Sequence, residues 1–186
     1  MRTKSFIAIA VLPLLLFGCA YNKTMASSSV LGAKSGSLTD PEIAAIVTNA
    51  NQGEIDQANA VVNRLSSSDV KAFAQMMIND HTAALGSARD LFTHRNITAI
   101  ENATSRQLAA GSQQLISNLS NASGMALDHA YMQAQIDEHQ WLLNALDTSL
   151  IPSAQTSDVK ALLRTQRTAV AAHLDRAKQV MGSMMH

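Results

Sequence analysis

From residue 39 onward the apolar residues return every three or four positions, the period of a helix buried along one face. Thr39-Asp40-Pro41-Glu42 pairs a capping threonine with a glutamate three residues on and sets proline in the first turn, so a first helix is expected from here to about Leu65. Ser66-Ser67-Ser68-Asp69 breaks the pattern, and a second helix, capped by Ser68, runs from about Asp69 to Phe92. Thr93 to about Thr104 has no clean period and reads as loop, followed by a shorter helix from Ser105 to Leu119. A third long helix spans about Met125 to Leu150 and is closed by Pro152; a fourth, capped by Ser157, continues to about Val180. Two of the three connections between the long helices are short. The expected fold is therefore all-α, an up-down-up-down four-helix bundle with an extra short helix between helices 2 and 3.

The apolar stripes carry one exception each. On helix 1 the stripe passes through Ile43, Val47, Ala50, Val61 and Leu65, and the position one heptad from both Val47 and Val61 is Glu54. On helix 2 it passes through Val70, Ala74, Met77 and Ala88, with His81 one heptad from Ala74 and from Ala88. On helix 3, His139 stands one heptad from Met132 and Leu146; on helix 4, His173 stands one heptad before Val180. Counted from their turns, Glu54 and His81 come out level and His139 and His173 nearly so, at mid-helix in all four. Four ionisable side chains should then share one layer of the core.

Composition narrows the chemistry. Fourteen basic and fourteen acidic side chains leave no net charge and no basic surface for nucleic acid, and a single cysteine excludes an intrachain disulfide and a cysteine-based zinc cluster. That cysteine follows Arg2, Lys4 and an apolar run from Phe6 to Phe17 too short to span a bilayer, which reads as an export signal over residues 1–18. Leu16-Phe17-Gly18-Cys19 resembles the lipobox of bacterial lipoproteins, which implies cleavage before Cys19, acylation of its thiol and membrane attachment. Ala20 in place of an aspartate implies an outer-membrane lipoprotein on the periplasmic face of the envelope. Residues 19–38, with Ser27-Ser28-Ser29 and Ser35-Gly36-Ser37, read as a flexible tether, leaving 39–186 for the bundle. A plain secretory signal with a leftover cysteine is the alternative.

A buried carboxylate or imidazolium is costly alone, so Glu54, His81, His139 and His173 must pair, neutralise or coordinate something. Three imidazole nitrogens and one carboxylate oxygen suit a single divalent transition metal: zinc, iron, manganese or copper. Di-iron carboxylate bundles use Glu-x-x-His pairs, and here the residues three before the histidines are Ile78, Ile136 and Val170, so di-iron oxidase chemistry is disfavoured. The competing reading is a buried Glu/His network that only fixes helix register. No Gly-rich phosphate loop or nucleophile elbow occurs, so nucleotide-binding and hydrolase readings have no support.

Asn51-Gln52-Gly53-Glu54-Ile55, the segment Val70 to His81, Asp128-His129-Ala130-Tyr131 with His139, and His173-Leu174 resemble the bacterial domain of unknown function 4142 family over roughly Leu38 to Val180. The resemblance implies a ferritin-like bundle exported to the envelope and often labelled stress-related, with no established activity. Its pattern maps onto Glu54, Asp80, His81, Asp128, Tyr131, His139 and His173. Asp80, about 100° round the helix from His81, would then support a ligand rather than be one. Asp128, eleven residues before His139, should lie in another layer, as a first-turn carboxylate favoured by the helix dipole.

Two readings follow. One is an envelope-anchored metal protein, with a role in envelope or oxidative stress; the other is a non-enzymatic structural or interaction module. Protein partners are not legible, beyond Trp141 as an interior or subunit-contact residue that would suit a homo-oligomer. The terminal Met181-Gly182-Ser183-Met184-Met185-His186 adds soft donors that could take Cu(I), or simply packs the helix end.

Overall fold

The computed structural model describes residues 37–184, and these form an all-α fold with no strand among them. Five long helices account for most of it: α1 (Asp40–Val61), α2 (Ser68–His94), α3 (Ala103–Ser120), α4 (Gly124–Ala145) and, after a π-helical segment (Leu146–Leu150) and a short α5 (Ile151–Ser153), α6 (Ser157–Ser183). The expected signal over residues 1–18 and Cys19 lie outside the described residues, as does the expected tether except Ser37 and Leu38. Leu38 packs against the core.

The helix starts follow from local hydrogen bonding. Thr39 Oγ1 accepts from the Glu42 amide while Glu42 Oε2 accepts from the Thr39 amide at 2.9 Å, closing the capping box. Asn102 and Ser105 exchange the same pair of bonds at the start of α3, at 3.0 and 2.9 Å. Ser67, not Ser68, caps α2, and Thr156, not Ser157, caps α6; each is the last residue with extended backbone before its helix. Gly124 opens α4 with a positive φ of 56°, a conformation that costs glycine little.

Helix 3 departs from its expected straight course to Leu150. Pro152 has no amide hydrogen, and its ring would collide with the carbonyl four residues back, at Thr148. The preceding turn widens, so that the Ile151 amide donates to the Leu146 carbonyl five residues earlier. Helical geometry thereby continues past the proline to Ser153.

Two buried aspartates define the directions of the helices. Asp40 in the first turn of α1 accepts from the Gln155 and Thr156 amides at 2.8 and 3.0 Å, just ahead of α6. Arg95 at the end of α2 pairs with Asp158 of α6, and the Asn102 amide group donates to the Glu42 carbonyl of α1. This lower end therefore gathers the starts of α1, α3 and α6 with the end of α2. At the upper end Asp128 of α4 accepts from the Ser66 and Ser67 amides at 2.9 and 2.8 Å and from Ser66 Oγ at 2.6 Å, and Arg64 spans the carbonyls of Leu119, Ser120 and Ala122. The helices that carry Glu54, His81, His139 and His173 accordingly run up, down, down, up. This corrects the expected up-down-up-down order. The link between α2 and α4 is a helix of 18 residues that climbs the whole side of α1, so α4 starts at the same end as α2. Gly53 makes that approach possible: a Cβ there would meet Ser112 of α3 at 3.2 Å, and its carbonyl accepts from Ser112 Oγ.

The apolar core is divided. Val61, Phe73, Met77, Leu127, Met132 and Val180 build an upper cluster, against which Met181 and Met184 pack; Ile43, Ile46, Phe92, Leu146, Leu163 and Val170 build a lower one. Met185 and His186, the rest of the expected soft-donor tail, lie outside the described residues. Between the clusters lies a buried polar layer.

Candidate metal centre

On α1, α2 and α4 the stripe exception reaches this layer because the residues a heptad either side are committed to the two apolar clusters; on α6 the residues a heptad either side of His173 are Gln166 and Val180, and only Val180 belongs to a cluster. His81 sits between Met77 of the upper cluster and Ala88 of the lower, and His173 between Ala177 and Val170. The three histidines His81, His139 and His173 converge: one ring nitrogen from each lies within 4.8 Å of those of the other two, and the ring centroids are 5.2 to 5.9 Å apart. All three are buried.

One nitrogen of every ring is already engaged. His81 Nδ1 donates to Asn51 Oδ1 at 3.0 Å, and Asn51 is itself held by its amide group on the Val47 carbonyl at 2.8 Å. His139 Nδ1 donates to the Gln135 carbonyl at 2.9 Å, one turn back on α4. His173 Nε2 donates to Asp80 Oδ2 of α2 at 3.0 Å. An imidazole that donates through one nitrogen keeps a lone pair on the other. Those other atoms, His81 Nε2, His139 Nε2 and His173 Nδ1, are buried and have no hydrogen-bond partner in the protein. Three partnerless acceptors in one buried cluster are an unmet demand that a cation satisfies and a hydrocarbon does not.

Electrostatics keeps the lone pairs available. Burial pushes the pKa of His81 down to about 4, against the pull of Glu54 and Asp80 and with the help of the neighbouring His139 and His173. Burial likewise lowers that of His139, opposed by Glu54. Near neutral pH these two rings are uncharged, the form that binds metal.

Glu54 lies beside the cluster and not in it. Its Oε2 accepts from Gln135 Nε2 at 2.9 Å, and its Oε1 stands 3.9 Å from His139 Nδ1, the nitrogen already given to the Gln135 carbonyl. Gln135 Nε2 also reaches Gln57 Oε1, and Gln57 donates to Glu138 Oε1 at 3.1 Å. Burial and the charge of Glu54 raise the pKa of Glu138 well above the usual carboxylate range. Tyr131, fully buried with its ring edge-on to Phe73, has a hydroxyl without a partner, and burial followed by the charges of Glu54 and Glu138 raises its pKa.

The structure thus brings together three of the four residues singled out by periodicity and sets Glu54 next to them. Asp80 supports a histidine, but the histidine is His173 across the bundle and not its neighbour His81. Asp128 belongs to the upper end, far from the layer, and Tyr131 lies between. Sequence reasoning missed Asn51, Gln57, Gln135 and Glu138. A signal was present for three: Asn51, Glu54 and Gln57 stand three residues apart on α1, and Gln135 is four before His139, so polar residues recur at helical spacing around the stripe exceptions. Glu138, adjacent to His139, carried no such signal.

Among known proteins, the model of a family described as a domain of unknown function (DUF4142) matches residues 25–180. No curated protein and no solved structure matches.

Proposed function

The chain belongs to the DUF4142 family, and from its three converging imidazoles we propose that it binds a single divalent transition metal through His81, His139 and His173. The observation that carries this reading is that each ring has one nitrogen fixed as a donor and the other buried without a partner. Asn51, the Gln135 carbonyl and Asp80 would then act as the outer partners that orient metal-bound histidines. A three-nitrogen set suits zinc, iron, manganese or copper. It leaves at least one coordination position for an outside molecule, as catalytic sites do and structural ones do not. Glu54 we assign to the adjacent layer, where its charge offsets that of the ion without touching it.

A ferritin-like bundle is the arrangement we favour for the fold. Two antiparallel helix pairs joined by one long crossover, here α3, support it. For location, Leu16-Phe17-Gly18-Cys19 and Ala20 support an exported outer-membrane lipoprotein anchored through Cys19, and a redox-active ion there would fit protection against oxidative stress. Loss of acyl labelling in Cys19→Ser checks the anchor.

A second reading is a structural or interaction module whose buried polar layer only fixes register; the hydrogen-bonded chain Glu54–Gln135–Gln57–Glu138, linked within the protein without an ion, favours it. Elemental analysis separates the two. Wild type is expected to hold about one ion per chain after gentle purification or reconstitution, and His81→Ala and His139→Ala well under half as much. A metal-free wild type after reconstitution would leave only the second reading.

A further inference from the structure

A cavity of about 50 Å³ adjoins the histidine cluster on the side of the lower apolar core. Its wall is hydrocarbon over most of its extent: Ile46 and Val47 of α1, Ala84 of α2, Leu146 and Leu150 of the π-helical segment, and Val170 of α6. Five polar residues also line it, Asn51, Asp80, His81, Gln166 and His173, and three of these have a buried nitrogen without a partner: His81 Nε2, His173 Nδ1 and the amide nitrogen of Gln166. Two are lone pairs and the third is a donor. Ala169, also in the wall, is exposed, so the space reaches the surface beside α6.

We propose that this cavity is the access route and binding pocket for a small uncharged molecule of two heavy atoms carrying an acceptor oxygen, which occupies the open position at the metal and accepts a hydrogen bond from Gln166. The inference rests on the metal reading above. Size sets the upper limit, because organic ligands of ordinary size need several hundred Å³. Charge sets the class: an anion would lose its hydration against a hydrocarbon wall, whereas a neutral diatomic loses little. The unpaired amide sets polarity, since a purely apolar occupant would leave that donor unsatisfied. Leu146 and Leu150, four residues apart in the π-helical segment, share this wall. Binding is simple coordination, in which the ligand lends an electron pair to the metal and no proton is transferred.

Nitric oxide on the anaerobic ferrous protein is the probe, read by absorbance and electron paramagnetic resonance; the cobalt(II) protein replaces it if iron is not retained. Wild type is expected to form a saturable one-to-one adduct. Ala84→Leu, which fills the cavity, and Ala169→Phe, which blocks its mouth, should each weaken or slow adduct formation at least tenfold at unchanged metal content. Gln166→Leu, which keeps volume and removes the donor, should speed dissociation about fivefold, the loss of one hydrogen bond. Adduct formation as in wild type by either metal-loaded cavity variant overturns the proposal, and so does a metal-loaded wild type that takes no nitric oxide. A wild type that holds no metal at all overturns the metal reading first, so the two failures are told apart before any gas is added.

Discussion

Asp80 on α2 accepts a hydrogen bond from Nε2 of His173 on α6 at 3.0 Å, so an exposed carboxylate decides which nitrogen of a buried ring keeps its lone pair. Removing that acceptor frees the ring to turn or to change tautomer. Asp80→Ala is therefore expected to lower metal affinity roughly 10- to 100-fold with stoichiometry at saturation unchanged. The Asp80 side chain is about half exposed, and the thermal midpoint of the metal-free protein should barely move. Competition against a chelator of known affinity, with a melting curve alongside, measures both.

Glu54 distinguishes a residue next to the centre from a residue in it. Glu54→Gln keeps the shape and a hydrogen-bonding group for Gln135 while removing the charge. It should retain about one ion per chain, whereas His173→Ala should not. Equal loss of metal in the two variants would make Glu54 a fourth ligand. The comparison needs only elemental analysis of proteins reconstituted in parallel.

The buried histidines make the metal-free protein sensitive to acid. In the unfolded chain an imidazole titrates near 6.5, while His81 in the fold titrates near 4 and His139 is also lowered. Between these values the unfolded state binds more protons than the folded one, so stability rises with pH across the window. It is complete above pH 6.5 and is lost as the pH falls toward 4, by roughly 3 kcal/mol from His81 alone. The groups that face His81 are Glu54 on α1, Asp80 on α2, His139 on α4 and His173 on α6. Urea titrations of metal-free protein at pH 7, 5.5 and 4.5 should show this decline, and His81→Phe should flatten it.

The two buried aspartates at opposite ends make a quantitative pair. Asp128→Asn replaces a carboxylate that accepts three hydrogen bonds, and Asp40→Asn one that accepts two backbone amides. Each should cost about 2 to 3 kcal/mol, the range for bonds to a charged acceptor at a helix start. About 30 Å of helix separates them, so the double variant should lose the sum within about 0.5 kcal/mol. Chemical denaturation of the four proteins at neutral pH closes the cycle.

Much of this was legible in the sequence because helical periodicity is strict. The heptad positions of His81, His139 and His173 between apolar neighbours predict a shared layer, and the rings do meet within 6 Å. The capping signals locate α1 to the residue and α2 and α6 to within one. Helix direction was another matter. The short helix expected from Ser105 to Leu119 is α3 to within two residues, but nothing in the apolar pattern shows that it runs along α1 from one end to the other, and the order of the helices turns on that course. Periodicity also cannot tell which heteroatom an oriented side chain offers. Glu54 points into the core as expected, yet Gln135 claims its oxygen, a contact between residues 81 apart in sequence.

Asp40 and Asp128 also constrain the order in which the chain can fold. The turn between α1 and α2 leaves its amides unsatisfied until α4 arrives, and the start of α6 waits in the same way for α1. Neither helical hairpin is finished by its own residues, so each is a poor candidate for an independently stable intermediate. The three imidazoles come from both hairpins, His81 from the first and His139 and His173 from the second. Any ion would therefore meet a completed protein and not a half-folded one, which favours late capture by the folded chain over assembly around the metal.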